Sequence, residues 1–551
     1  MTSLLSQTNA AQAAATLLGA LAQEPGDYHA YYQLAAAQWA LGEPHAAEES
    51  AAMARRLHAF ELLADHVDLE RLENDPLYAT EAADRFYAMG NVGVASVLYE
   101  FALDTNNPPT GTILQHALSL QHLGLAEAAA GQCEAAQRTA PDNPIAGQFT
   151  LYALFFVADG VARHAQAARA WASRHEQRND LPTVAVRPAE GRRLRIGYVA
   201  PSFTRGQLHQ FIGPVIDLHD RAAYEVFLYP NAKEDTAPWR GAVSQRPLSG
   251  LSTDQATAQI RSDRIDVLVD AWGHASGNRM DVFMRRAAPV QVSWLNYQQT
   301  TGLSTMDHVL FADSVTAPNM DALFTESIWR MGATSAPFRP THMDTPTPAP
   351  ALRNAWTTFG SFINPAKLSD ETIAAWSKIL NGAPTARLYF KYRYFIDPLL
   401  RQTVIARFAA HGVESGRLFF SGASTGAEYT AAFGEIDLML DTSPCPGGTT
   451  TLEAMSRGVP VLILSGDTHY GRSAIQIVAG AGMHDMIASS WDEYVAKATS
   501  LNANPRALQD LRDRTAIGFA SAPYRDEAAV VRRLEAAYRQ MFSRWAANQA
   551  R

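Results

Sequence analysis

The sequence predicts an all-helical repeat region joined to two α/β domains, each built on a mostly parallel sheet. Three observations carry this reading. Residues 1–175 are rich in Ala, Leu, Glu and Gln and poor in β-branched residues. From about residue 190, short apolar runs suited to buried strands alternate with helical segments. A Pro-rich stretch at 336–350 then separates that pattern from a second copy of it.

The chain has 551 residues, more than one hydrophobic core holds, so several domains are expected. Hydrophobic residues make up 47% and charged residues 18%, which argues against extensive disorder. The formal charge of −9 lacks the basic excess of a nucleic-acid binder. The two cysteines, Cys133 and Cys445, are too few for a disulfide framework. The first twenty residues lack the basic start of a signal peptide, and no apolar run is long enough to span a bilayer. These features predict a soluble, cytoplasmic enzyme with no membrane span.

In the helical region (1–175), breaks fall near Gly42, Gly90, Gly124 and Gly160 and at Pro108 and Pro141. The stretch YYQLAAAQWALGEPHAAEESAAMARRL reads as helix, turn, helix. The pattern resembles tetratricopeptide repeats. A stacked array presents a concave surface, which serves equally to grip a protein or to form a homo-oligomer.

The first α/β domain (190–335) offers strands in RRLRIGYVA (192–200), YEVFLYP (224–230), IDVLVDAWG (265–273), VQVSWLNY (290–297) and HVLFAD (308–313). Ligands of such sheets bind beyond the strand C-termini. That rule singles out PSFTRGQLHQF (201–211) with Arg205, Gln207 and His209, and WGHASGNR (272–279) with His274. It also singles out NYQQTTG (296–302) with Thr300, Thr301 and Gly302, and the GAT stretch at 332–334.

Residues 336–352 read as an extended linker. The second α/β domain (353–520) has strands in TTFGSF (357–362), ARLYFKY (386–392), GRLFFSG (416–422), IDLMLDT (436–442) and VPVLILSG (459–466). Ser369 is placed to cap the helix that follows it. The most informative run is DTSPCPGGTTTLEAMSRGVPVLILSG (441–466), read as strand, tight turn, helix start, strand. Gly447 and Gly448 permit close backbone approach, and Thr449 and Thr450 fall in the first helical turn. Unpaired amides there make an anion site suited to phosphate. Arg472 in GDTHYGRSA and Lys367 after the domain's first strand are further cations for that anion. The tail (521–551) reads as an amphipathic helix packing on the catalytic body.

Residues 192–542 resemble the catalytic region of protein O-linked N-acetylglucosaminyltransferases and their SPINDLY-like relatives. The resemblance rests on RIGYVAPSF, IDVLVDAWGHASGNR, APVQVSWLNYQQTTG, FGSFINPAK, LDTSPCPGGTTTLEAMSRGVPV and the ending AYRQMF, in family order. It implies a type-B glycosyltransferase fold of two Rossmann-like domains facing across a cleft. It implies inverting, metal-independent and cofactor-free transfer of a sugar, N-acetylglucosamine foremost, from a UDP-sugar to Ser or Thr of an acceptor protein. Flagellin and other surface proteins are acceptors by resemblance.

By the same resemblance, Lys367 neutralises the departing diphosphate, and Thr449 and Thr450 bind it beside Gly448. Glu453 contacts the ribose, Tyr429 stacks on uracil, and Thr300, Thr301 and Gly302 line the diphosphate or sugar side. His209 is the first candidate for general base, and His274 contributes from the neighbouring loop. The sequence departs from the family where Gly206 holds the usual histidine position of the first loop. Gly448 stands for a second histidine and Gly426 for a lysine. Two alternatives stay open: N-linked glucosylation of Asn on a surface protein, and a UDP-binding scaffold with little transferase activity.

Overall fold

The computed structural model describes residues 7–176, 191–204, 206–232, 239–317, 320–342, 345–502 and 504–549. The N-terminal region is helical from Gln7–Leu21 to Gly160–His175, folded as successive antiparallel neighbours. Gly42, Gly90 and Gly124 follow helices in the left-handed region, whereas Gly160 opens one. Small residues fill the helix interfaces: Ala79, Ala82, Ala83, Ala95 and Ala102 are fully buried. This is why an Ala-rich sequence forms close-packed helix pairs.

The first lobe holds seven parallel strands: β1 (Leu194–Ala200), β2 (Tyr224–Pro230), β3 (Val243–Gln245), β4 (Val267–Asp270), β5 (Val290–Ser293), β6 (His308–Phe311) and β7 (Ser327–Arg330). Their order is β3-β2-β1-β4-β5-β6-β7. The second lobe holds β8 (Thr358–Ser361), β9 (Arg387–Lys391), β10 (Leu418–Ser421), β11 (Leu438–Leu440), β12 (Val461–Leu464) and β13 (Ile487–Ala488), in the order β10-β9-β8-β11-β12-β13. Both sheets thus wind outward in opposite directions from a central pair, β1/β4 and β8/β11. At that reversal the loops splay apart and leave a crevice.

The stretch at 336–352 is not a free spacer where it is described. Phe338 is fully buried, its amide donates to Tyr524 O at 2.8 Å, and the Arg339 amide donates to Gln210 O at 2.8 Å. Residues 343–344 lie outside the described residues. The C-terminal helix Glu527–Gln549 returns to the first lobe, where Val530, Leu534, Tyr538 and Phe542 join the core around Ile196, Tyr198 and Trp294. Glu535 anchors it by accepting from His219 Nδ1 at 2.9 Å and from Asp220 N at 2.7 Å.

The repeat region touches both lobes. Near its middle, the amide of Gly93 donates to Asp397 in the second lobe. At its end, Glu176 accepts from Ser304 Oγ at 2.8 Å and Thr305 N at 2.9 Å in the first lobe.

Candidate functional site

The strand C-termini of the two sheets face each other. His469, after β12, bonds through Nε2 to Gln299 Oε1 at 3.0 Å across the gap. Arg472 Nε donates to Ser314 O at 3.2 Å, and the Ser335 amide donates to Gln476 Oε1 at 3.3 Å. Burial holds His469 neutral, its pKa lowered to about 4, so the His469–Gln299 bond carries no charge.

The densest polar constellation lies at the β8/β11 reversal of the second sheet. β8 ends in the turn Pro365–Lys367, capped by the Asn364 side chain accepting from Ala366 N at 3.1 Å. The Lys367 ammonium donates to Pro446 O at 2.7 Å, which fixes it over the 441–448 loop. That loop leads into the helix Thr449–Ser456, whose N-cap Gly448 makes no side-chain capping bond. The first amide bonded within this helix is that of Leu452, to Gly448 O, so the first-turn amides of Thr449 and Thr450 remain available.

Asp441 shapes the loop from beneath. It is fully buried and accepts from Thr442 N at 2.9 Å and Gly447 N at 2.7 Å. Burial raises its pKa to about 6, opposed chiefly by the Lys367 ammonium. Gly447 is required here, because a Cβ would sit 2.5 Å from Thr451 Oγ1 and 3.2 Å from Asp441 Oδ1. Ser369 has two tasks: it caps its helix by accepting from Thr372 N at 3.2 Å, and it donates to Ser443 O at 2.7 Å. The first lobe repeats the device at its own reversal. Asp270, ending β4, accepts from Trp272 N at 3.2 Å and Gly273 N at 2.7 Å, and burial raises its pKa to about 7.

Tyr429 and Glu453 come from different helices, Gly426–Ala432 and Thr449–Ser456, and meet by a Tyr429 Oη to Glu453 Oε2 bond of 2.8 Å. Thr425 and Glu428 form a full capping box that starts the first of these helices. Burial, then Glu453, pushes the Tyr429 phenol well above its ordinary range, so it stays a donor. Its ring packs edge-on against Phe433.

The other sequence-derived candidates are placed differently. Thr300 and Thr301 do not line an open surface: both are buried, and both hydroxyls donate to Glu326, Thr300 at 2.6 Å. Gly302, at φ +79, lets the helix Gly160–His175 approach, since a Cβ would lie 2.3 Å from Ala168 O. His274 is likewise buried, donating through Nε2 to Thr301 O at 2.8 Å beneath Trp171 and Tyr297. Burial lowers its pKa to about 4. Arg472 donates through Nε to Ser314 O across the lobes and through Nη1 to Ser465 Oγ at 3.4 Å in its own lobe. His209 is half-buried and opens the helix His209–Leu218. Its Nδ1 faces Phe203 O at 3.0 Å; a carbonyl only accepts, so Nδ1 donates there and Nε2 is the ring nitrogen left for another partner. Gly206 stands at φ +71 in that loop, and Arg205 lies outside the described residues.

Sequence reasoning missed Asp441, Asp270 and Asn364. It also missed His122, a repeat-region side chain whose Nδ1 lies 3.2 Å from Asn364 Oδ1. Among the described residues, no group of three or more His, Cys, Asp or Glu side chains is placed to hold a metal ion. No described helix is long and apolar enough to cross a membrane.

Comparison with known proteins adds the following. The family model described as "Glycosyl transferase family 41" matches residues 162–335 and 351–526. A probable UDP-N-acetylglucosamine–peptide N-acetylglucosaminyltransferase SPINDLY of Oryza sativa subsp. japonica is 31% identical over 427 residues, 74% of this chain and 46% of its own length. The protein of that name from Arabidopsis thaliana is 29% identical over 417 residues, again 74% of this chain and 46% of its own. The chain thus spans about half the length of the curated relatives it matches. A solved structure, a mutant of the Thermobaculum terrenum O-GlcNAc transferase, superposes with a TM-score of 0.77 at 29% identity. That match covers 95% of this chain and 98% of that one.

Proposed function

Since the chain belongs to glycosyl transferase family 41 and carries its helical region and two-lobed type-B fold, we propose that it transfers a sugar from a UDP-sugar to a protein hydroxyl. The observation that carries the reading is the placement of Lys367 over the loop that delivers the open first turn of Thr449–Ser456. An ammonium and a set of unpaired amides at a sheet reversal suit a diphosphate. N-acetylglucosamine is the donor sugar we assign, because the relatives carry that name. Serine and threonine of a protein are the acceptors, and no metal takes part.

In this mechanism the acceptor oxygen attacks the anomeric carbon, and the bond from that carbon to the β-phosphate oxygen breaks. The electron pair leaves with UDP. Negative charge grows on the β-phosphate as it departs, and Lys367 with the Thr449 and Thr450 amides is already in place to meet it. Donors fixed before the reaction need no reorganisation at the barrier. Tyr429 supplies a ring face to the base. Glu453 accepts one hydrogen bond from Tyr429 and has a second oxygen for a ribose hydroxyl. The hydroxyl proton goes to His209 Nε2, the ring nitrogen not engaged by Phe203 O.

The test is incubation with a panel of UDP- and GDP-sugars and a lysate from cells lacking the enzyme, followed by intact-mass and site mapping. Addition of one N-acetylhexosamine to Ser or Thr with UDP-N-acetylglucosamine is expected. Stabilisation by UDP without transfer from any donor would overturn the catalytic reading and leave a binding protein.

A further inference from the structure

We infer that the outer edge of the first sheet is a docking site for an extended, carboxylate-bearing peptide of a protein partner. β7 is the last strand of its sheet. The amides of Ser327 and Met331 donate inward, to Asp307 O at 2.9 Å and Phe311 O at 2.8 Å. Alternation along a strand therefore turns the Ile328 and Arg330 backbone groups outward. An open groove of about 570 Å³ runs along this edge between β7 and the C-terminal helix. Residues 328–332, odd and even alike, line one side, so the groove presents the strand edge and not merely one face.

The opposite wall is basic. Arg533, Ala536 and Arg544 form it. Arg330 is neutralised by Asp321 at 3.0 Å, but among the described residues no carboxylate pairs with Arg533 or Arg544. Arg533 Nε and Nη2 are buried without a hydrogen-bond partner, and Arg544 lies over the Trp329 ring at 4.7 Å. Unpaired guanidinium groups beside an open strand edge select a segment that supplies both backbone pairing and carboxylates. A lipid surface would meet the charge but leave the strand edge unpaired.

The groove also leads somewhere. Its Met331–Gly332 end continues into Thr334 and Ser335, which contact Gln476 of the second lobe. A segment paired with β7 would have its continuation directed toward the interlobe gap. On the transferase reading, that segment belongs to the acceptor protein.

The test uses the full chain, without UDP-sugar, and a fluorescein-labelled octapeptide of alternating Glu and Thr, followed by anisotropy. Salt-sensitive binding is expected, about tenfold weaker for the Gln–Thr peptide and for the R533Q/R544Q variant. N-methylation of alternate peptide amides should abolish it, and this arm leaves the protein untouched should the variant fold poorly. Equal affinity for the Glu and Gln peptides, undiminished binding after N-methylation, or no wild-type binding at about 1 mM would overturn the inference. So would phosphatidylserine vesicles that bind and are not displaced by the peptide. Because binding is read without transfer, failure of the transferase reading leaves this result standing. Turnover of a short acceptor lacking acidic residues should be unchanged in R533Q/R544Q.

Discussion

The Asp397 carboxylate accepts from the amide of Gly93, 304 residues away, while its other oxygen accepts from Leu399 N at 2.7 Å. One side chain thus caps two helices: its own, Pro398–Ala409, and Val92–Leu103 of the repeat region, whose N-cap residue Asn91 makes no side-chain capping bond. Burial raises the Asp397 pKa to about 6. The native state therefore binds more protons than the unfolded chain between about pH 4 and 6, and stability from this group falls as pH rises through that window. Against D397N, the wild type should lose up to about 3 kcal/mol between those pH values in urea titrations. Parallel stability curves would refute this. D397A, which removes both caps and the titrating group, should cost about 2–4 kcal/mol below about pH 4 and less as the pH rises to 6.

On the proposed mechanism, Lys367→Ala should lower kcat by about 10²- to 10³-fold, because the charge is needed most as the diphosphate departs. The variant also loses the bond to Pro446 O and the charge that offsets burial of Asp441, so the melting temperature should fall by about a few degrees while the fold is kept. Wild-type turnover by K367A in a UDP-release assay would remove Lys367 from the mechanism.

His122 holds Asn364, and Asn364 caps the turn that ends at Lys367. Burial keeps His122 neutral, its pKa lowered to about 4. H122A should reduce kcat about three- to tenfold with little change in KM for the donor. Unaltered kcat would show that the turn holds its shape unaided.

Tyr429→Phe deletes one hydrogen bond to Glu453 and keeps the ring. KM for the UDP-sugar should rise about three- to tenfold with kcat nearly constant. Y429A should raise it further. A kcat defect in Y429F at saturating donor would contradict a role confined to nucleoside binding.

Neighbouring glycines should answer differently to one added methyl. G447A drives a Cβ against Thr451 and Asp441 and should cost about 1–3 kcal/mol along with most activity. G448A meets no atom within 4 Å and should leave stability within about 0.5 kcal/mol. Thermal unfolding of the two variants side by side decides it.

Much of this architecture is legible in the chain because apolar strand cores bracketed by polar loops have one reading in an α/β fold. The observed β8, β9, β10, β11 and β12 each fall inside a stretch recognisable by eye. The short strands β3 and β7 do not announce themselves: β3 is only half-buried and β7 is exposed at both ends, so neither carries an uninterrupted apolar signature. Lys367, Thr449, Tyr429 and Glu453 stand out from local pattern and resemblance, and their proposed roles rest on that reading. The buried contacts of Thr300, Thr301 and His274 do not stand out, because their partners Glu326 and Trp171 are distant in sequence. Burial of such polar side chains is a property of the folded whole, and no local stretch of sequence carries it.

The helical array is fastened at Asp397 to one jaw and at Ser304 and Thr305 to the other. Any hinge motion that widens or narrows the gap must therefore flex the superhelix between those rivets. The converse holds as well: any strain that straightens or coils the array acts on the spacing of the two lobes.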